Sequence, residues 1–202
     1  MYTKSRNLVV GFHGCDGSVR DTIIAGKSFM KKSNNVYDWL GNGFYFWENN
    51  LSRALIFAEE KREREPHKIK EPAATGAFID LGYCFDLLDA SCLFSLREYY
   101  SLLKNLYEQQ GIPMPVNSPA GESFDLLLRK LDCSVIETAH AFKRKNNSPA
   151  YDSVRGVFWE GKELYPNAGF KEKNHIQICV RNPNCIKGFF LPRESDFHHP
   201  IP

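Results

Sequence analysis

No apolar run in the 202-residue chain approaches the ~18 residues that a membrane-crossing helix needs, which excludes a protein anchored by hydrophobic helices. Excess charge of one sign is missing as well. Lys and Arg total 26 against 24 Asp and Glu, so no general electrostatic pull toward a polyanion is expected. The six cysteines, Cys15, Cys84, Cys92, Cys133, Cys179 and Cys185, form no CxxC pair, and a chain of this size needs no staples. They read as reduced thiols of a cytoplasmic protein. The nearest approach to a zinc site, His175, Cys179 and Cys185, lacks a fourth ligand, so no metal is expected. The stretch Met1 to Asn7 leads into only a handful of apolar residues, and a cleaved secretion signal is not expected. Internal repeats, heptads and low-complexity tracts are absent.

What the chain does have is the balance of a folded globular protein, 43% hydrophobic and 25% charged, in a length that suits a single domain over 1–202. Val9 to Gly14 reads as a short buried strand, Asp21 to Gly26 as one or two helical turns closed by glycine, and Gly41 to Trp47 as an aromatic strand entered through two glycines. Asn49 or Asn50 can cap a helix beginning near Leu51, whose Leu51, Ala54, Leu55 and Ala58 keep helical spacing. A strand at Ala77 to Leu81 follows. Leu96 to Gln110 and Ser123 to Lys145 then predict two or three helices, and strand signals return at Ser153 to Trp159, His175 to Val180 and Ile186 to Leu191. Strands at both ends with helices between them predict an α+β fold.

Three strand segments each place one polar side chain among apolar neighbours: His13 before Gly14, Tyr45 after Gly43, and Gln177 two residues beyond His175. Phe12-His13-Gly14 followed by a short helix and then Gly41-Asn42-Gly43-Phe44-Tyr45-Phe46 resembles the ADP-ribosyltransferase superfamily, in its diphtheria-toxin and poly-ADP-ribose-polymerase-like branch with a His, Tyr, Glu triad. Asp152-Ser153-Val154-Arg155-Gly156 and the strand from Asn174 to Val180 extend the resemblance at the far end. It implies two small packed sheets with an NAD-binding cleft between them. The helical insertion, around 89–147, has no counterpart in it.

Elementary chemistry gives each residue a part. A histidine at a strand end offers an imidazole to a ribose hydroxyl, while glycines at 14 and 43 let backbone approach a carboxamide or a ring closely. Tyr45 presents a flat ring on which nicotinamide can stack. The third position departs from the family pattern. Gln177, aligned with the glutamate, keeps a hydrogen bond and lacks the charge, and His175 lies two residues away, ~6.6 Å along the same strand face. Glu160, in the loop before that strand, is the substitute carboxylate. Each has a plainer alternative: His13 packed in the core or solvated, Tyr45 a core aromatic, Gln177 a buried amide, Glu160 a solvated loop acid.

The resemblance implies a mono-ADP-ribosyltransferase that takes NAD as co-substrate and transfers one ADP-ribose to a protein or nucleic-acid acceptor. A compact transferase of this kind is similar to toxin and effector domains, for which a neutralising antitoxin is the expected partner and a membrane is not. Two alternatives stay open: an NAD glycohydrolase or RNA 2′-phosphotransferase of the same fold, and an inactive NAD-binding scaffold, which Gln177 favours.

Overall fold

The computed structural model describes residues 8–120 and 125–193. In chain order the elements are β1 (Val9–Asp16), α1 (Gly17–Ile24), β2 (Phe44–Glu48), α2 (Leu51–Arg64), β3 (Pro72–Ile79), β4 (Cys84–Asp86), α3 (Ala90–Gln110), β5 (Asn117–Ser118), β6 (Leu128–Arg129), α4 (Lys130–Lys145), β7 (Ser153–Phe158), β8 (His175–Val180) and β9 (Ile186–Phe190). The architecture is mixed α+β. A seven-stranded sheet in the order β4-β7-β8-β2-β1-β3-β9 is accompanied by a two-stranded ribbon of β5 and β6, and all neighbours pair antiparallel except β4 with β7.

Short polar side chains start α1, α2 and α3. Asp16 accepts from the Ser18 amide to cap α1, and its other oxygen accepts from the amides of Lys70 and Glu71, which binds the end of β1 to the approach of β3. Asn50 caps α2 through the Arg53 amide, and Asp89 caps α3 through those of Ser91 and Cys92. Gly111 ends α3 at φ 65°, a left-handed conformation that suits glycine. The helix predicted from Leu96 therefore begins one and a half turns earlier, where the capping aspartate sits. The one predicted from Ser123 begins at Lys130, because Leu128 and Arg129 pair with Asn117 and Ser118 instead. Ser123 itself lies outside the described residues.

The sheet has two covered regions. Tyr45, Cys179, Val154 and Phe158 share one face with Leu40 and meet Tyr99, Leu103, Val135, Ile136 and Ala139 of α3 and α4. Phe46, Ala77, Ile79, Ile178 and Val180 occupy the other face beneath Ile23 of α1 and Met30. Each fully buried side chain of this kind is worth ~1.5–3 kcal/mol. Phe44 and Phe46 thus point opposite to Tyr45, as strand alternation requires.

The expected pair of packed sheets is here one continuous sheet. Its halves stay joined because β1 and β2 keep two residue pairs, Gly11 with Glu48 and Phe12 with Trp47. Beyond Phe12 the two strands part, while β1 continues along β3 as far as Asp16 opposite Pro72. The expected helical insertion corresponds to α3, the ribbon and α4.

Candidate functional site

The parting of β1 and β2 exposes strand backbone in the middle of a sheet. The Asn49 amide donates to the Val10 carbonyl, so Val10 turns its backbone toward β2, and an extended strand repeats that direction at Phe12 and Gly14. Pairing with β2 stops at Phe12. The Gly14 N–H and C=O are therefore directed at the gap. Across it, the Tyr45 carbonyl takes a hydrogen bond from His13 Nδ1 at 2.9 Å. A carbonyl only accepts, so Nδ1 carries the hydrogen and the neutral ring keeps a lone pair on Nε2. Burial pulls the His13 pKa down to about 4, which keeps the ring neutral at physiological pH.

Gly14 has a second reason to be glycine. A Cβ there would overlap the carbonyl oxygen of Ala54, where α2 lies against β1. Backbone on both sides leaves nothing soft to yield. Gly14→Ala is expected to cost about 3 kcal/mol or more in denaturant unfolding, whereas Gly188→Ala, with open space around the added carbon, should be near neutral. Equal effects would show that α2 does not seat on Gly14.

The three residues of the resemblance do not meet as side chains in one hollow. The His13 ring packs edge-on to Phe46, with centroids 6.2 Å apart, on the face opposite the Tyr45 ring. Tyr45 and Gln177 do share a face. Tyr45 stands opposite Cys179 and Gln177 opposite Trp47, which makes them diagonal neighbours at ~7–8 Å. The Tyr45 hydroxyl donates to the Gly41 carbonyl at 2.7 Å and accepts from the Leu40 amide at 2.9 Å, so it holds the turn entering β2, where Gly41 has φ 76°. Burial raises the Tyr45 pKa well above its ordinary value. Gly43 lets β2 lie against β8, since a Cβ would overlap Cys179 Sγ. Gln177 is half-buried opposite Gly156, and its side chain makes no hydrogen bond among the described residues.

A denser polar group lies at the start of β8. His175 is buried, stacked on Phe158 at 5.6 Å and Trp39 at 6.3 Å, with Trp47 tilted against it at 6.3 Å. Its Nδ1 donates to the Lys173 carbonyl at 2.6 Å, leaving Nε2 as a lone-pair acceptor, and burial brings its pKa down to about 4. Glu160 is buried too, contrary to a solvated loop acid. One of its carboxylate oxygens lies 3.8 Å from His175 Nδ1 and 4.0 Å from an Arg53 Nη. Desolvation pushes the Glu160 pKa up to about 7, with the nearby Arg53 charge pulling the other way. Such a carboxyl is poised to take or give a proton near neutrality.

Arg53 and Trp47 belong to this group and were not singled out from sequence. Arg53 sits beside Ala54 on the buried side of α2, and Trp47 follows Tyr45 by two on the same strand face. An arginine inside an apolar helical stripe was the available signal. The basic run Lys143-Arg144-Lys145 lies at the far end of α4, with Lys143 over the Tyr83 and Tyr151 rings.

All six cysteines are free. Among the described residues, no group of three His, Cys, Asp or Glu side chains is placed to hold a metal ion, and no helix is long and apolar enough to cross a membrane. Comparisons with family models, curated proteins and solved structures returned no match.

Proposed function

We propose that the protein is a mono-ADP-ribosyltransferase that takes NAD as co-substrate and passes ADP-ribose to a macromolecular acceptor. The observation that carries this reading is the parting of β1 and β2 after Phe12, which leaves the Gly14 backbone directed at an opening that the His13 Nδ1 hydrogen bond to the Tyr45 carbonyl spans. In this proposal the Gly14 N–H and C=O meet the carboxamide, neutral His13 accepts from the adenosine ribose hydroxyl, and the Tyr45 ring flanks nicotinamide. Gln177 holds the 2′-hydroxyl of the nicotinamide ribose.

The chemistry asks little covalent work of the chain. The bond between ribose C1′ and the nicotinamide nitrogen breaks with both electrons going to nitrogen, which releases neutral nicotinamide and leaves a cationic sugar. An acceptor O–H or N–H then attacks C1′. Its proton goes to Glu160, whose carboxyl, buried against Arg53, titrates near neutral pH. The aromatic wall of Trp39, Trp47 and Phe158 shields the cation from water. With an amide at position 177 in place of the family's carboxylate, transfer stops at one unit.

Chromatography of released nicotinamide, with and without a protein or RNA extract as acceptor, tests the proposal. The expected result is acceptor-dependent release that falls ~10²-fold in Gln177→Ala, the size of effect that losing one transition-state hydrogen bond produces. His13→Ala should raise KM for NAD while the fold is kept. Acceptor-independent release would favour the glycohydrolase. NAD binding by calorimetry without any release would select the inactive scaffold, and absence of both would overturn the assignment.

A further inference from the structure

Three side chains around the start of β8, beside the buried Glu160, leave polar atoms without hydrogen-bond partners in a place water does not reach. Trp47 is 5% exposed, Arg53 9%, Glu160 5% and His175 6%, and Trp47 Nε1, Arg53 Nε, Arg53 Nη1 and His175 Nε2 make no hydrogen bond among the described residues. They are neighbours. The Arg53 guanidinium lies 5.6 Å from the Trp47 ring, Trp47 and His175 are 6.3 Å apart, and Glu160 stands between Arg53 and His175 at 4.0 and 3.8 Å. A buried, unpaired polar group costs ~1–3 kcal/mol, so this arrangement is kept at considerable expense to folding.

The vacant bonds have a definite character. Three are donors, from Trp47 and Arg53, and one is an acceptor, His175 Nε2, since Nδ1–H is already given to the Lys173 carbonyl. A carboxylate or sulfate only accepts and leaves His175 unsatisfied. A water or alcohol has one oxygen, with two lone pairs for three donors. A singly protonated phosphate monoester supplies several acceptor oxygens and one O–H, which matches the set. We propose that the recess formed by Trp47, Arg53, Glu160 and His175 binds a phosphate monoester together with one proton.

The surrounding charges suit that ligand. Arg53, Arg129 and Lys173 bring positive charge near Glu160, against Glu60, which pairs with Lys173 at 2.8 Å and lies 3.8 Å from Arg53, and Asp125, which pairs with Lys171 at 3.2 Å. Arg129 lies over the Trp39 and Phe158 rings, at 4.3 and 5.1 Å from their centroids. The second phosphate ionisation falls near pH ~6, and Glu160 has a pKa of about 7, so the ligand and the site each hold a proton more readily on the acid side of neutrality. Arg53, held by ion pairs at 3.8 and 4.0 Å rather than by close hydrogen bonds, is the member that can swing to admit the group. This inference goes beyond the transfer reaction and does not depend on it.

Titration calorimetry of the full chain with phenyl phosphate, in buffers of different ionisation enthalpy, reads both affinity and proton uptake. Expected is saturable binding with uptake of close to one proton at pH 8, tightening roughly fifty-fold from pH 8 to pH 6 as the singly protonated monoester becomes the common form, and at least tenfold weaker for sulfate and for dimethyl phosphate. Arg53→Lys, which keeps charge and loses the fork, should weaken phenyl phosphate about tenfold with circular dichroism unchanged. Sulfate binding as tightly as phenyl phosphate, or no saturable binding at all, overturns the proposal. Nicotinamide release measured on the same preparation keeps this outcome separate from that of the transferase reading.

Discussion

Lowering the pH from 6.5 toward 4.5 is expected to remove about 5 kcal/mol of folding stability, an effect comparable to the whole stability of many domains. Three histidines cause it. His13, His140 and His175 are all held neutral by burial, with pKa values lowered from 6.5 to about 4. In the unfolded chain each binds a proton below pH 6.5, and in the folded chain it does not, so unfolding takes up protons and stability falls with pH through that window. Each contributes ~3 kcal/mol by pH 4.5, His13 less because the residue is only half-buried. Glu160 works in the opposite sense. Its folded pKa of about 7 lies above the ordinary 4.5, so it binds a proton more readily folded than unfolded and offsets roughly one histidine across the same range. Urea unfolding at pH 7, 6, 5 and 4.5 measures the slope. His140 gives the cleanest check, since it lies in the α4 core against Tyr151 and far from any proposed chemistry. His140→Leu should flatten the acid limb by one proton, and a wild-type curve flat from pH 7 to 4.5 would show that the three rings are not kept neutral.

How much of this was legible in the chain depends on how local the determining physics is. Strand alternation put Phe44 and Phe46 opposite Tyr45, and a register of two put His175 and Gln177 on one face, both of which the structure shows. Asn50 declared itself as a cap because capping needs only the next three residues. The continuous sheet was not legible, because the two residue pairs that join its halves depend on how far β1 and β2 run together, a tertiary matter. Nor was the burial of Glu160. A glutamate in a polar loop is ordinarily solvated, and only the packing of that loop over α2 and β8 brings its carboxyl beside Arg53 and His175. Gly14 was read for what it leaves open toward a ligand. The structure adds that its missing side chain makes room for the backbone of α2, a role that no inspection of neighbours in sequence reveals.

Replacing Glu160 by glutamine is expected to make the protein more stable and less active at once. A carboxyl whose pKa is raised from 4.5 to about 7 is costly to ionise in the fold, and above pH 7 that cost stands at about 3 kcal/mol, the attraction to Arg53 already counted in it. The amide has the same shape and no proton to lose. At pH 8 the variant should melt roughly 5–10 °C higher, and at pH 4.5, where the folded wild-type carboxyl carries the proton and the unfolded one is half protonated, the difference should shrink to about 1 °C. Acceptor-dependent turnover should fall ~10²–10³-fold, since the amide cannot receive the acceptor's proton. Scanning calorimetry across this pH range, paired with the nicotinamide assay, separates the two consequences. A residue that merely braces the loop would be destabilised by the change at every pH, and that result would remove Glu160 from the chemistry. A gain in stability that builds between pH 4.5 and 7 and levels off above neutrality identifies a carboxylate kept buried at the expense of the fold, as residues retained for proton transfer are.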